Sequence, residues 1–353
     1  MKKIFYQIYK DKPAFIALLI LFVLYFLIIF ADFFAVYPST WSNRKLAYQP
    51  PSKIYILDKN NHFKIPYTYA YKKQFNEETL SIEYIQDRSH KHKIKLFSHG
   101  FEYKILGLFK SDLHLFGVSD DCDLFLLGCD IGGHDVYSRL FYGGQISLTV
   151  GFLALLIAFP IGALYGGISG YLGGITDKIM MRFAEAVMSI PSFYLLIILA
   201  SILPSNMTST QRFALITAIL ALVGWAGFSR VIRGMVLSVK NMEYVKSAET
   251  IGASKFRIIT KHILPQTSSY IVIALTLSVP SYILAESGLS FLGLGIQLPD
   301  ASWGNMLKEA QEFANIIYRP WLLFPGFLIF IAVLSFNVAG DKIRDILDPR
   351  AVK

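Results

Sequence analysis

Long uncharged stretches of apolar residues constrain this chain more than any other feature of its sequence. The first runs from Ala14 to Ala31 and is long enough to cross a bilayer. Five more follow, at about Ile146–Tyr171, Ala186–Leu203, Phe213–Ser229, Ile263–Ala285 and Trp321–Gly340. The sequence therefore predicts an all-α polytopic membrane protein with six transmembrane helices.

The composition favours a membrane protein over a soluble one. Hydrophobic residues make up 54% of the chain and charged residues only 17%, against roughly 25% in soluble domains. The net charge is +9, and the basic residues lie mostly beside the apolar stretches, which indicates membrane topology more than nucleic-acid binding. We expect cytoplasmic N- and C-termini and a retained first span, not a cleaved signal peptide, because four lysines precede that span: Lys2, Lys3, Lys10 and Lys12.

The chain is expected to divide into four parts. Residues 1–37 form the cytoplasmic N-terminus and first span, and residues 38–144 form an exported insert. Residues 145–340 form a core of five further spans with a cytoplasmic loop at 237–266. A charged cytoplasmic tail at 341–353 completes the topology of six spans with both ends inside.

The exported insert has the pattern of a small β-rich domain. Alternating apolar and polar residues at Ile54–Leu57 and Phe63–Ile65 predict one hairpin. Lys93–Phe97 and Phe101–Tyr103 predict a second, with its turn at Ser98–Gly100.

Histidines and cysteines in the insert do not indicate catalysis or a metal. Six of the seven histidines lie there, but lysines flank His90 and His92, and the spacing matches no ligand pattern. We therefore expect no metal site. Cys122 and Cys129 fall on the exported side, where disulfides form, so a bond between them remains open. Catalysis by either thiol is not expected.

Glycines at four-residue spacing occur in the second stretch. Gly162, Gly166 and Gly170 would form one bare ridge on a helix, which lets another helix approach closely. Gly174, which follows Gly173, fits a turn better. In the third stretch, Pro191 is expected to kink the helix.

The longest polar and basic segment of the second half runs from Glu243 to Gln266. It predicts two short helices joined at a corner of small residues. Asn241 is the expected N-cap of the first helix, and Gly252-Ala253 ends it. Ser254 is expected to cap the second helix, and Pro265 to mark its boundary.

Two interpretations of this segment remain open from spacing alone. Val245, Ala248 and Ile251 recur at spacings of three, so they are expected to share one face of the first helix. Ala248 and Gly252 make that face shallow, which suits close docking into a groove on another protein. The alternative is a solvated loop that rests on lipid headgroups.

Motifs of the common catalytic classes do not occur in this sequence. It contains no GxxxxGK[ST] phosphate loop, no GxSxG elbow and no HExxH helix. The centres of the spans carry almost no charge, which proton- or ion-coupled carriers usually need, and Glu286 is expected to close the fifth span. We therefore expect that the chain is not an enzyme and that a transporter built from it takes its energy from a partner.

The polar segment resembles the cytoplasmic motif of permease subunits of bacterial ABC importers. That motif reads E-A-A, three residues, G, nine residues, I-x-L-P. Ala248, Gly252 and Leu264-Pro265 stand at its positions in this chain. Three other positions depart from it: Lys246, Ser247 and His262.

Other segments resemble the C-type permease subunits of dipeptide and oligopeptide importers. Leu127–Arg139 is similar to their LGTDxxGRDVxSR segment, from which Cys129 and His134 depart. The run Gly288–Gly295 reads GLSFLGLG, as at the fifth-span exit of that family, and Gly340–Arg350 is similar to its GDxLRDxLDPR tail.

The resemblance implies the six-helix fold of type I ABC importers in the bacterial cytoplasmic (inner) membrane. It implies a heterodimer with a second, homologous permease subunit, two ABC ATPase subunits, and an exported solute-binding protein that delivers a peptide. This chain would bind no cofactor, since ATP and magnesium belong to the ATPases, and it would contact lipid but no nucleic acid. The residues implied to couple it to an ATPase are Glu243, Tyr244, Lys246, Ala248, Glu249, Gly252, Ala253, Leu264 and Pro265.

Three rival functions remain at this point. An importer of nickel chelates or another non-peptide ligand belongs to the same class, and the histidines of the insert favour it slightly. A carrier or channel that works alone would transport without ATPase subunits. A structural subunit without a pore is a third alternative, which the glycine ridge disfavours.

Overall fold

The structure is a computed structural model, and it describes residues 7–57, 63–77, 81–105, 107–118, 122–204 and 206–347. In this described part, five helical segments are long and apolar enough to cross a membrane, and a bent pair of helices would make a sixth span. A small antiparallel sheet lies between the first two segments. The predicted fold class, a helical membrane protein with a β-rich insert, is therefore confirmed.

The elements are numbered here in chain order. The strands are β1 (Tyr55–Leu57), β2 (Phe63–Asn76), β3 (Ser81–Ile105) and β4 (Phe109–Val118). The first helices are α1 (Lys12–Ile29), α2 (Ala31–Phe34), α3 (Val136–Leu172), α4 (Gly174–Ser189), α5 (Ser192–Ser201) and α6 (Ser209–Val239). The remaining helices are α7 (Glu243–Thr250), α8 (Lys255–Arg257), α9 (Ser268–Phe291), α10 (Trp303–Met306), α11 (Phe313–Tyr318) and α12 (Phe324–Leu347).

Contacts divide the chain into two units. The first comprises Met1–Phe22, Ser147–Ile296 and Ile329–Lys353, and it holds most of the long helices. The second comprises Val23–Ile146 and Gln297–Leu328. The second unit therefore contains the insert together with a segment from the later part of the chain.

The third predicted span is broken. Helices α4 and α5 meet at an angle of 82°, and α4 already begins at Gly174. Ile190 has the extended backbone (ψ 126°) that a residue before proline prefers, and Pro191 then precedes the first residue of α5. The predicted kink at Pro191 is therefore confirmed, but the bent pair begins at Gly174, well before the predicted start of the span at Ala186.

The first predicted hairpin of the insert is confirmed. Strand β1 pairs antiparallel with β2, so that Tyr55 lies opposite Tyr67. The connection between these strands lies outside the described residues.

The second predicted hairpin is wrong, because its two arms belong to the single strand β3. Ser98 and His99 lie opposite His114 and Leu113 of β4, where a turn was expected. An irregularity between His99 and Tyr103 absorbs the glycine that suggested the turn, as a β-bulge does.

Candidate functional site

Backbone hydrogen bonds fix the end of helix α7 in the polar segment. The amide of Gly252 donates to the carbonyl oxygen of Glu249 (2.9 Å), and that of Ala253 donates to Ala248 (3.1 Å). This is a Schellman motif, and Gly252 has the positive φ (79°) that it requires. Met242 precedes α7 as its cap residue without a side-chain hydrogen bond, so the predicted cap at Asn241 is wrong.

The second half of the segment is a continuous helical stretch that leads into the fifth span. Ser254 caps it as predicted, since its hydroxyl accepts from the amide of Arg257 (3.4 Å). The stretch then widens into a π-helical turn, Ile258–Ile263, in which the amide of Leu264 donates to Ile259, five residues back. Proline cannot donate and its ring clashes with the carbonyl four residues earlier, which accounts for the wider turn. Pro265 was expected to mark the boundary of the second helix. The π-helical turn does end at Ile263, and Pro265 lies in the 3₁₀ turn Leu264–Thr267, through which the helical stretch continues into α9.

The face of α7 that was expected to dock on a partner lies against the chain itself. Val245 and Ala248 are buried, and α7 packs on the π-helical turn, whose Ile258, Ile259 and Ile263 are also buried. Ile251 does not share this face, because 84% of it is exposed. The pattern therefore found an apolar face correctly but assigned it to the wrong neighbour.

Apolar side chains are exposed on the other side of the same segment. Besides Ile251, the exposed apolar side chains of the segment are Phe256, which is 63% exposed, Tyr244 and Met242. Glu243 and Lys246 are exposed beside them, and Glu249 accepts a hydrogen bond from the hydroxyl of Tyr171 (2.7 Å). We call Met242, Tyr244, Lys246, Ile251 and Phe256 the α7 surface.

The remaining predicted residues of the segment are not counted in the α7 surface. Ala253 is half-buried in the turn after α7. Leu264 is half-buried beside α3, where a Cβ on Gly167 would lie 3.7 Å from its side chain. Pro265 is exposed.

The three ridge glycines of α3 lie against α6. A Cβ on Gly162 would lie 2.8 Å from the carbonyl oxygen of Trp225, and one on Gly170 would lie 2.9 Å from that of Arg233. A Cβ on Gly166 would overlap the carbonyl oxygen of Ser229. Helices α3 and α6 therefore approach to backbone contact along this ridge.

An ion pair joins α4 to α6, and the sequence analysis did not identify it. Asp177 accepts from both Nε and one terminal nitrogen of Arg233, at 2.6 and 2.5 Å. The hydroxyl of Ser169 on α3 donates to the same carboxylate (2.6 Å). Only the position of Asp177 between two apolar runs signalled a partner. Three helices thus meet at one carboxylate close to the start of the polar segment.

A buried carboxyl group in α9 was also misjudged. Glu286 was expected to end the fifth span, but α9 continues to Phe291 and Glu286 is fully buried. Ser147 on α3 donates to its Oε2 (2.8 Å) and Ser290 to its Oε1 (2.7 Å). The sequence signal was a serine four residues after the glutamate, one helical turn away.

The two cysteines, both among the described residues, are not joined by a disulfide. Cys129 is buried, and its carbonyl oxygen accepts from the indole of Trp321 (3.0 Å). Burial raises the pKa of its thiol, which makes it a poor nucleophile. The thiol of Cys122 instead donates to the carbonyl oxygen of Asp123 (3.7 Å).

Three histidines of the second unit, His99, His114 and His134, have partners within the protein. His99 contacts Asp112 (2.9 Å), and both ring nitrogens of His114 lie 3.0 Å from carbonyl oxygens. His134 contacts the carboxylate of Asp130 (2.8 Å). Within the part of the chain that the structure describes, no group of three or more His, Cys, Asp or Glu side chains is arranged to hold a metal.

Carboxyl groups with raised pKa values lie near the start of α3. Burial raises the pKa of Asp135 to about 7, although Ser138 donates two hydrogen bonds to its Oδ2. Burial also raises the pKa of Glu309 to about 7, and its Oε2 accepts from the amide of Ile131 (3.0 Å). This part of the second unit is therefore expected to respond to pH.

Several proteins that are named as peptide permeases are similar in sequence to this chain. The dipeptide transport system permease protein DppC of Bacillus subtilis is 46% identical over 225 residues, which is 63% of this chain and 68% of the relative. The oligopeptide transport system permease protein OppC of the same organism is 40% identical over 64% of this chain and 72% of the relative. OppC of Haemophilus influenzae is 42% identical over 63% of this chain and 70% of the relative.

A family model covers more than half of the chain. The model of the binding-protein-dependent transport system inner membrane component matches residues 158–353. This range contains the C-terminal part of α3, the helices from α4 to α12, the polar segment and the ion pair of Asp177 with Arg233. The chain therefore belongs to the family of inner membrane components of binding-protein-dependent transport systems, and it is a multi-pass membrane protein.

Proposed function

We propose that this chain is the C-type permease subunit of an ATP-driven importer that carries di- and oligopeptides across the bacterial cytoplasmic membrane. The named peptide permeases among its relatives support peptide as the substrate. The α7 surface carries the mechanistic part of the proposal. Exposed apolar side chains on a short helix, itself packed firmly on the protein, are typical of a docking surface for another protein.

The proposed complex contains a second, homologous permease subunit, two ATPase subunits and an exported solute-binding protein. Both termini and the polar segment lie in the cytoplasm, where basic residues concentrate. ATP and magnesium bind to the ATPases, and this chain binds neither.

The proposed mechanism is alternating access driven through α7. ATP binding closes the ATPases and moves α7 as a rigid body, because Val245 and Ala248 anchor it to the helical stretch that continues into α9. Helix α6 ends directly before α7 and moves with it. The pair of Asp177 and Arg233 passes that motion to α4. The pore then opens to the other side.

Substitution of Gly252 tests the coupling. A Cβ there would meet nothing within 4 Å in the described part of this chain, so a side chain would project into open space on the docking side that we propose. We expect Gly252→Asp to reduce peptide uptake by about tenfold or more while ATP hydrolysis by the complete complex continues. Uptake and hydrolysis are measured together in membrane vesicles.

Gly174 offers a matched control for backbone strain. It also has a positive φ (59°) and open space around it, so Gly174→Asp brings the same strain without bulk at α7. Gly252→Asn brings bulk without charge. Normal uptake with both substitutions at Gly252, or an equal loss with Gly174→Asp, would contradict the coupling role. Uptake of a nickel chelate in place of peptides would contradict the substrate.

A further inference from the structure

A polar groove of about 320 Å³ lies beside the α7 surface, within the first unit. The end of α3 forms one wall with Tyr171, and the turn between α6 and α7 adds Lys240. Lys246 and Glu249 of α7 and Lys255 of α8 line it as well, together with Leu172 and Asn241. Three lysines against one glutamate give the groove an excess of positive charge.

Two of the charged groups already have partners in the chain. Glu249 accepts from the hydroxyl of Tyr171 (2.7 Å). The ammonium of Lys240 donates to the carbonyl oxygen of Gly170 (3.2 Å), one of the carbonyls at the C-terminal end of α3 that a cation favours.

Lys246 and Lys255 are the charges that remain available. Both are exposed, and neither forms an ion pair with an acidic side chain of the described residues. They lie on opposite sides of the turn at Gly252, which the Schellman motif fixes. The two ammonium groups are therefore presented from a defined backbone and suit one anionic group between them.

We propose that Lys246 and Lys255 bind a carboxylate side chain of the ATPase subunit that docks on the α7 surface, an inference that rests on the proposed function. The exposed side chains of Ile251 and Phe256 belong to the same segment and favour a protein as the occupant. A lipid is a less suitable occupant. Its two acyl chains would need an apolar surface beside the headgroup, and Leu172 is the only aliphatic side chain that lines the groove. The apolar contact holds the ATPase, and the lysines select its orientation.

Zero-length cross-linking of the complete complex in its own membranes tests the proposal. A carbodiimide forms an amide only between an amine and a carboxylate that touch. We expect mass spectrometry to find Lys246 or Lys255 joined to an aspartate or glutamate of the ATPase subunit.

Charge reversal supplies the second measurement. With Lys246→Glu and Lys255→Glu together, we expect the tagged chain to retain about tenfold less ATPase subunit on purification. Lys246→Gln with Lys255→Gln should give an intermediate loss, and salt should weaken the wild-type complex. Lys178→Glu makes the same kind of charge change on α4, outside the groove, and should retain the wild-type amount. The amount of chain in the membrane reports folding.

The outcomes separate this inference from the proposed function. If both reversed and wild-type chains retain equal ATPase and no cross-link forms, the inference is wrong and the proposed function stands. The same holds if anionic phospholipid, and not the ATPase, is lost on charge reversal. If no ATPase subunit purifies with the wild-type chain, the proposed function itself fails.

Discussion

Each unit of this protein contains a buried aspartate and an arginine, and the two are arranged differently. In the first unit, Asp177 and Arg233 form a bidentate ion pair with a serine as third partner. In the second unit, Asp135 and Arg139 are buried but do not pair with each other among the described residues. Asp135 is bonded to Ser138, and its Oδ1 has no hydrogen bond within the described chain. Arg139 lies 4.0 Å from Asp130.

The two carboxyl groups, those of Asp177 and Asp135, therefore differ in whether they are ionised. A carboxylate that receives hydrogen bonds at both oxygens from an arginine stays ionised and holds its helices at fixed distances. A carboxyl group that is buried without a cation instead takes up a proton, which burial favours. The first unit therefore has a rigid joint between helices, and the second has a group that titrates near pH 7.

The largest expected effect comes from forcing α3 away from α6, the helices that carry Ser169 and Arg233 of the rigid joint. In Gly166→Ala the new Cβ overlaps the carbonyl oxygen of Ser229 and lies 3.0 Å from the amide of Arg233. Overpacking against backbone should destabilise the protein by about 3 kcal/mol and lower its melting temperature. Thermal unfolding of the purified chain measures this.

Gly227 on α6 is the matched control. A Cβ there would meet nothing within 4 Å, so Gly227→Ala should stabilise the helix by about 0.5–1 kcal/mol. Equal melting temperatures for the two variants would show that α3 and α6 do not meet at Gly166.

The titrating group of the second unit gives the next largest effect. Because burial raises the pKa of Asp135 to about 7 from an ordinary value of 3.8, the folded state holds a proton that the unfolded state has lost. The free energy of unfolding should therefore fall as pH rises from about 4 to 7, and level off above. Between pH 5 and 8 we expect a fall on the order of 2 kcal/mol from this group.

Asp135→Asn should remove this contribution and reduce the pH dependence of the melting temperature. Glu309 contributes in the same direction, because burial also raises its pKa to about 7. Asp135→Asn with Glu309→Gln should therefore flatten the profile further than either change alone. An unchanged profile in the double variant would refute the assignment of this pH response to the second unit.

Removal of one partner of the rigid joint should have the smallest effect of the three. Removal of one partner from a fully buried pair costs about 3–5 kcal/mol of stability. The side chain of Arg233 is 32% exposed, so solvent screens part of the charge that Arg233→Leu leaves on Asp177, and we expect the free energy of unfolding to fall by only about 1.5 kcal/mol.

A double-mutant cycle sharpens this prediction. Asp177→Asn combined with Arg233→Leu should cost less than the sum of the single changes, because the unpaired charge is gone. Additive losses would mean that the two side chains contribute independently and that the bidentate geometry is not a joint.

The helical core was largely predictable from sequence. The apolar stretch from Ala14 overlaps α1, and the stretch from Phe213 lies within α6. The signal is strong because a span in lipid must satisfy all its backbone hydrogen bonds internally, so a long apolar run leaves little choice but a helix. Local backbone chemistry was equally readable at Ser254 and Gly252, where a hydroxyl cap and a positive φ depend on one or two residues.

The errors share a cause, which is that a distant neighbour overrode a local pattern. Ser98–Gly100 has the composition of a turn, but pairing with β4 holds it in a strand. Glu286 looked like the end of a span, but Ser147, 139 residues earlier, donates to it inside the protein. A pattern read from neighbouring residues cannot show such partners, because they are far away in the sequence.

Sequence by itself determined that this chain spans a membrane, that it has a β-rich insert, and that one polar segment stands out in its second half. It also carried the resemblance to importer permeases. Only the tertiary structure decided which way that segment faces. Val245 and Ala248 lie against the chain, while Ile251 and Phe256 face outward. Spacing defines which side chains share a face of a helix, but packing against residues far away in sequence decides which face is buried.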